Sequence, residues 1–148
     1  MQIHTDFREL CRSHGLAMTH QRQVIYDMLV VMPGHPSPEE VFDRVRKKLP
    51  SISLATVYKT IHTFIESGIL REVSPHHGSL RVDDNIRPHH HLVCTTCKSI
   101  TDVDDSVFEP LRFKHRLPQG FKFERFAVDI LGLCPQCAAK ADKRHKAQ

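Results

Sequence analysis

The sequence predicts an α+β protein made of an N-terminal winged helix-turn-helix and a small C-terminal α/β domain that carries a four-cysteine site. Three observations lead there. The first half reads as capped amphipathic helices that give way to two short strand-like runs around a Pro/Gly turn. The second half is dominated by strand-like runs. Two Cys-x-x-Cys pairs, Cys94–Cys97 and Cys134–Cys137, each follow one of those runs. The 148 residues suffice for one medium domain or two small ones, and polar residues with a proline between Asp84 and Pro88 mark a boundary. The expected domains are therefore 1–83 and 84–148.

The helices follow from spacing and caps. Phe7, Leu10 and Cys11 share a helical face before Gly15. A second helix opens at Thr19, carries Val24, Ile25, Met28 and Leu29 on one side, and ends before Pro33-Gly34. The third has the strongest start signal: Ser37 as N-cap, Pro38 at the first helical position and Glu40 to complete a capping box. Its buried positions are expected to be Val41, Phe42, Val45 and Leu49, with Pro50 beyond. A fourth runs from about Ser53 to Gly68 with Leu54, Val57, Ile61, Phe64 and Ile65 inward and Ala55, Thr56, Lys59 and Thr63 outward, Tyr58 and His62 lying nearer the edges.

Two strands, Ile69–Val73 and Leu80–Asp83, then form a hairpin around Pro75-His76-His77-Gly78. Helices followed by such a hairpin place the last helix in a DNA major groove and the wing along the backbone. Beyond the boundary the order is strand (His89–Cys94), strand (Ser99–Val103), helix (about Ser106–His115), strand (about Lys122–Leu131), and a polar, lysine-rich end from Ala138 that reads as a short helix fraying into a tail.

Composition narrows the function classes. No stretch approaches the roughly 20 apolar residues of a membrane span, and the first twenty residues, with Asp6 and Glu9, lack the apolar core of a secretion signal. A cytoplasmic chain with no membrane partner is expected. Twelve histidines and an odd count of five cysteines argue for metal or redox thiols over a disulfide framework. The formal net charge of +4 permits nucleic-acid binding without establishing it.

Two knuckles supply four thiolates, the closed tetrahedral set that Zn²⁺ takes in structural sites; Cys94, Cys97, Cys134 and Cys137 are the expected ligands. The competing reading is a thiol switch in which the pairs lose zinc and form disulfides. Cys11, on an apolar helical face, reads as a small buried hydrophobe. In the run His89-His90-His91, strand alternation turns His89 and His91 to one face and His90, with Cys94, to the other. Two imidazoles on one face can share a metal, and Asp83 and Asp102 are the nearest carboxylates able to join them. Such a nitrogen and oxygen set suits Fe²⁺ or Mn²⁺ better than a sulfur site does, and Zn²⁺ would still bind. The bland alternative is an edge strand with surface histidines. Of the others, His20 and His62 would reach phosphates or bases if the helices dock as expected.

Thr19-His20-Gln21-Arg22, Ala55-Thr56-Val57-Tyr58-Lys59, Gly68-Ile69-Leu70, His89-His90-His91-Leu92-Val93-Cys94-Thr95-Thr96-Cys97 and the terminal Cys134-Pro135-Gln136-Cys137 occur in an order that resembles the ferric uptake regulator (Fur) superfamily over roughly residues 5–140. The resemblance implies a homodimeric winged-helix repressor of a double-stranded DNA operator, with a C-terminal dimerisation domain and a structural zinc. It adds His35, from the loop after Pro33-Gly34, to Asp83, His89, His91 and Asp102 as ligands of a regulatory metal. It also places a further site of the iron-uptake members on Pro88, His90, Glu109 and Phe126, of which Pro88 and Phe126 cannot ligate.

Aspartate at both carboxylate positions resembles the peroxide-sensing (PerR) branch, in which peroxide reacting at Fe²⁺ adds oxygen to a ligating histidine, here His35 or His89. Lys59 departs from that branch, which has asparagine there. The expected function is thus a metal-gated repressor in which one ion clamps the two halves, with Thr56, Tyr58 and Lys59 as DNA contacts and no organic cofactor. The alternatives are an iron- or zinc-responsive uptake repressor without peroxide chemistry and, from another class, a metalloenzyme. No His-Glu-x-x-His base accompanies the cluster, so an enzyme is not expected.

Overall fold

In the computed structural model, residues 6–73 and 79–145 are described. The chain divides into two compact units, Met1–Ile86 and Arg87–Gln148. The division falls slightly beyond Asp83, in a turn where the Asn85 N–H bonds the Asp83 carboxylate at 2.8 Å.

The first unit holds α1 (Phe7–Ser13), α2 (His20–Val31), α3 (Pro38–Val45), α4 (Leu54–Glu66) and a two-stranded antiparallel sheet of β1 (Arg71–Val73) and β2 (Arg81–Asp83). The turn expected at Pro75–Gly78 lies outside the described residues. Helices α2, α3 and α4 start where expected, beside Thr19, Ser37 and Ser53. Thr19 and Ser53 accept from backbone N–H groups of the first turn, and Ser37 and Glu40 form both halves of a capping box. Helix α4 stops because Gly68 adopts φ +79°, a left-handed conformation that a side chain would resist. Helix α3 ends at Val45, earlier than its spacing suggested, and Leu49 packs from the turn that follows.

The core of this unit joins Phe7, Ile25, Leu29, Val41, Val45, Val57, Ile61 and Phe64. Phe64 has no exposed surface, and Phe7 and Tyr26 meet it edge-on at 5.8 and 6.3 Å between ring centroids. Thr60 is buried on the same helix, although the spacing left it unassigned.

The second unit contains β3 (His90–Cys94), β4 (Ile100–Val103), β5 (Asp129–Gly132) and α5 (Pro135–His145). Its sheet order is β4-β3-β5, with β4 antiparallel and β5 parallel to the central β3. The helix expected over Ser106–His115 does not form. A single 3-10 turn, Asp105–Val107, is capped by Asp104, and Phe108 is already extended at φ −111°, ψ 150°. Pro110 explains the stop, since it disfavours helical backbone at Glu109 and has no N–H to continue the ladder. The strand expected from Lys122 is likewise confined to Asp129–Gly132, and residues 108–128 carry no helix or strand. Three phenylalanines of that segment, Phe113, Phe123 and Phe126, gather with centroids 4.9–5.0 Å apart. Helix α5 begins at Pro135, before the expected Ala138, because proline suits a first helical position.

Truncating Phe64 to Ala should remove the ring on which Phe7 and Tyr26 converge and cost about 3–5 kcal/mol. Denaturant unfolding followed by helical circular dichroism measures this.

Candidate metal centres

The cysteine cluster is built by the sheet of the second unit. Cys94 ends β3, Cys97 closes the following turn, and Cys134 and Cys137 frame the first turn of α5. The four Sγ atoms lie within 4.8 Å of one another, with Cys97 and Cys134 at 3.7 Å. Zn–S bonds of about 2.3 Å imply tetrahedral S–S edges of about 3.8 Å, so the cluster is sized for that ion. Cys97 to Ser99, at 3.2 Å, and the Cys134 N–H donating to Cys94 Sγ at 3.4 Å hold the thiols in place.

The electrostatics point the same way. Backbone N–H donors, first from Cys134 and then Cys97, hold the Cys94 thiol down to about 6. The Ser99 side chain and backbone lower Cys97. Cys137 is pushed up to about 12, chiefly by its hydrogen bond with Cys134, then by desolvation and the other thiols. The group therefore cannot ionise fully by itself, and a divalent cation would remove that conflict.

A second collection of donors consists of two separate pieces. In the first unit, His35 and Asp83 are both buried, with Nδ1 and Oδ1 3.8 Å apart. Gly34, at φ +75°, turns the chain into this loop, and the Val82 N–H bonds the Pro36 carbonyl at 3.2 Å. Arg81 reaches the His35 carbonyl at 3.3 Å and Glu40 Oε2 at 2.8 Å, while the same Glu40 oxygen accepts from the Ser37 N–H. The capping box of α3 and the second wing strand thus grip the His35 loop together.

In the second unit, His89 and His91 turn to one face as alternation required, their Nε2 atoms 3.1 Å apart. That is the spacing of adjacent ligands on one ion with metal–nitrogen bonds of about 2.1 Å. Asp102 stands opposite His91 on β4 and brings Oδ1 to 3.7 Å from His89 Nε2 and 4.0 Å from His91 Nε2. The outer nitrogen of His89 donates to the Arg87 carbonyl at 2.8 Å, which leaves Nε2 as the lone-pair atom of the neutral ring. His91 Nδ1 lies 3.6 Å from Asp129 on β5.

Arg81, the Arg87 carbonyl and Asp129 escaped the sequence reading, which took Glu40 only as half of the capping box and not as a partner of Arg81. Asp129 lay inside an expected strand, but nothing in the sequence said which strand it would pair with.

His90 points the other way and is buried. Its Nδ1 accepts the Val128 N–H at 3.2 Å, its Nε2 approaches Asp105 at 3.2 Å, and Phe108 meets it edge-on at 4.8 Å. With Pro88, Glu109 and Phe126 it lines a cavity of about 270 Å³. Both ring nitrogens are thereby engaged in tying β3 to the 3-10 turn and to the approach to β5.

The expected DNA contacts lie on or near the outer side of α4. Lys59 is exposed and Tyr58 half-buried, its hydroxyl donating to Glu39 on α3, which lowers that carboxyl below its usual range. Tyr58 also stacks with His62 at 6.4 Å. The Thr56 hydroxyl is shared with the Ser53 cap at 2.8 Å. Cys11 is buried, and desolvation raises its thiol.

The family model described as "Ferric uptake regulator family" matches residues 13–131. This chain belongs to the ferric uptake regulator family. It is 30% identical over 132 residues to the "Peroxide operon regulator" of Bacillus subtilis, covering 89% of this chain and 91% of that one. Against the "Peroxide-responsive repressor PerR" of Staphylococcus aureus it is 31% identical over 132 residues, 87% of each chain. The solved Helicobacter pylori ferric uptake regulator Fur, whose structure reveals three functional metal-binding sites, shares the fold. Its TM-score is 0.68 and its identity 18%, with 89% of each chain covered.

Replacing Cys97 with Ser should abolish zinc retention, measured by mass spectrometry of purified protein. It should also strip β3 and β5 of hydrogen-exchange protection while leaving α4 protected, because the cluster joins those strands and lies within the second unit.

Proposed function

We propose that this chain is a metal-dependent transcriptional repressor that binds duplex DNA as a homodimer and senses peroxide through oxidation of His35 or His89. The observation that carries the reading is the division of the nitrogen and oxygen donors. His35 and Asp83 belong to the unit with the winged helix, and His89, His91 and Asp102 to the unit with the cysteine cluster. Two donors in one unit and three in the other would each leave half or more of a six-coordinate Fe²⁺ or Mn²⁺ shell to water, and together they would fill five of its six positions. One shared ion biases the arrangement in which both sets are satisfied, and so biases the spacing of two recognition helices in a dimer.

The cysteine cluster is read as structural zinc. In this account α4 enters the major groove with Tyr58 and Lys59 forward, Glu39 limiting the positions Tyr58 can take. Exposed apolar side chains of the second unit, among them Leu92, Val107, Phe121, Leu131 and Leu133, fit burial against a second copy. No described helix is long and apolar enough to cross a membrane, and binding to an operator would be carried out in the cytoplasm. The protein is a regulator and not an enzyme.

Relatives at about 30% identity named for peroxide response support that branch, as do aspartates at 83 and 102. Bound Fe²⁺ would supply reduction of peroxide beside its own histidine ligands, whereas bound Mn²⁺ would not. An imidazole carrying an added oxygen is a poorer ligand, and its loss leaves the two donor sets unconnected.

The test is anaerobic Fe²⁺ loading, exposure to hydrogen peroxide, peptide mass spectrometry and an operator gel shift. The expected result is one added oxygen on the peptide containing His35 or His89 together with loss of DNA retention, and neither change in the Mn²⁺-loaded protein. Retained DNA binding without added oxygen, with release only on chelation, would assign the chain to iron- or zinc-responsive uptake control instead.

A further inference from the structure

The central strand of the second unit places His91 between two aspartates. On the β4 side its directly opposite residue is Asp102, and on the β5 side it is Asp129. The two carboxylates address different nitrogens: Asp102 lies 4.0 Å from Nε2, and Asp129 lies 3.6 Å from Nδ1. Both His91 and Asp129 have side chains only 14% exposed, so the outer contact is largely shielded from competing water.

The neighbouring His89 follows the same plan with a different partner, its Nδ1 held by the Arg87 carbonyl and its Nε2 facing that of His91. In both rings the outer nitrogen meets an acceptor and the inner nitrogen joins the donor set.

We propose that Asp129 is a positioning residue of the regulatory site, its carboxylate holding His91 as the Nδ1–H tautomer with the Nε2 lone pair aimed at the shared ion. The proposal rests on the regulatory-site reading above. A ring with two unequal nitrogens and free rotation presents the correct lone pair only part of the time; an acceptor fixed on the far side removes the wrong tautomer and the flipped ring at once. Backbone register fixes Asp129, since the β3–β5 pairing continues from His91 to Cys94 and sets both residues relative to the cysteine cluster. A bonded carboxylate on the outer nitrogen also makes the imidazole a stronger donor. Asp129 itself stays on the side away from Asp102 and His89 Nε2 and is not counted among the ligands.

The experiment compares wild type, Asp129→Asn, Asp129→Ala and His89→Ala, each as the full zinc-replete chain. Mn²⁺ is titrated as the probe, and ¹⁵N spectra of ring-labelled histidine report the His91 tautomer in the absence of added Mn²⁺. Asp129→Ala should weaken Mn²⁺ binding roughly 10–100-fold, with Asp129→Asn between it and wild type because its carbonyl still accepts. The His91 signal should move from Nδ1–H in wild type toward Nε2–H in Asp129→Ala, at unchanged zinc content.

Unchanged Mn²⁺ affinity in Asp129→Ala beside a large loss in His89→Ala would overturn the role of Asp129 and leave the site standing. An Nε2–H tautomer in wild type would overturn it without any variant needing to fold. Unchanged affinity in His89→Ala would overturn the site reading and this proposal with it.

Discussion

Four thiols crowded within 4.8 Å, with Cys94 drawn down to about 6 and Cys137 forced up to about 12, form an arrangement that a divalent cation would stabilise. Much of the second unit's geometry depends on this cluster. The cluster ties the end of β3 to the end of β5, two strands that run parallel and are separated by β4, a 3-10 turn and residues 108–128, which carry no helix or strand. Parallel pairing across such a connection has little local support, and a metal held by Cys94 and Cys134 would supply it from outside the ladder. The pairing in turn sets Asp129 beside His91, while the antiparallel pairing with β4 sets Asp102 on the other side. A structural ion at the cysteines would thereby support the register that places His91 beside Asp129.

The first unit solves a similar problem without sulfur. His35 sits on a loop, a poor platform for a ligand, yet the Ser37 capping box, Arg81 and the Val82 N–H all converge on it. The wing strand that carries Asp83 is the same strand that grips the loop carrying His35. Movement of the wing is therefore coupled through named hydrogen bonds to the ligand geometry, and ligand geometry to the wing. If the proposed ion is shared, it would bias the same strand and loop that these hydrogen bonds join.

Much of this was legible in the sequence where local chemistry decides. Caps at Thr19, Ser37 and Ser53 and the glycine stop at Gly68 set the helices of the first unit, and strand alternation aimed His89 and His91 together. The Cys-x-x-Cys spacing announced the cluster. What failed was the connecting segment after β4, where a helix is expected over about Ser106–His115 but Pro110 limits it to one 3-10 turn. His35 drew attention only through family resemblance, because a loop histidine has no periodicity to betray it. Asp129, Arg81 and the part played by His90 became visible only when strand pairing and tertiary contacts were known, information that no window along the chain contains.

The central claim is that donors from both units bind the same ion. Anomalous diffraction from crystals of the Mn²⁺-loaded protein tests it most directly. The account predicts a manganese peak ligated by His35, Asp83, His89, His91 and Asp102, apart from the zinc peak at the cysteines. Manganese held by His89, His91 and Asp102 alone, with His35 and Asp83 outside bonding distance, would contradict it.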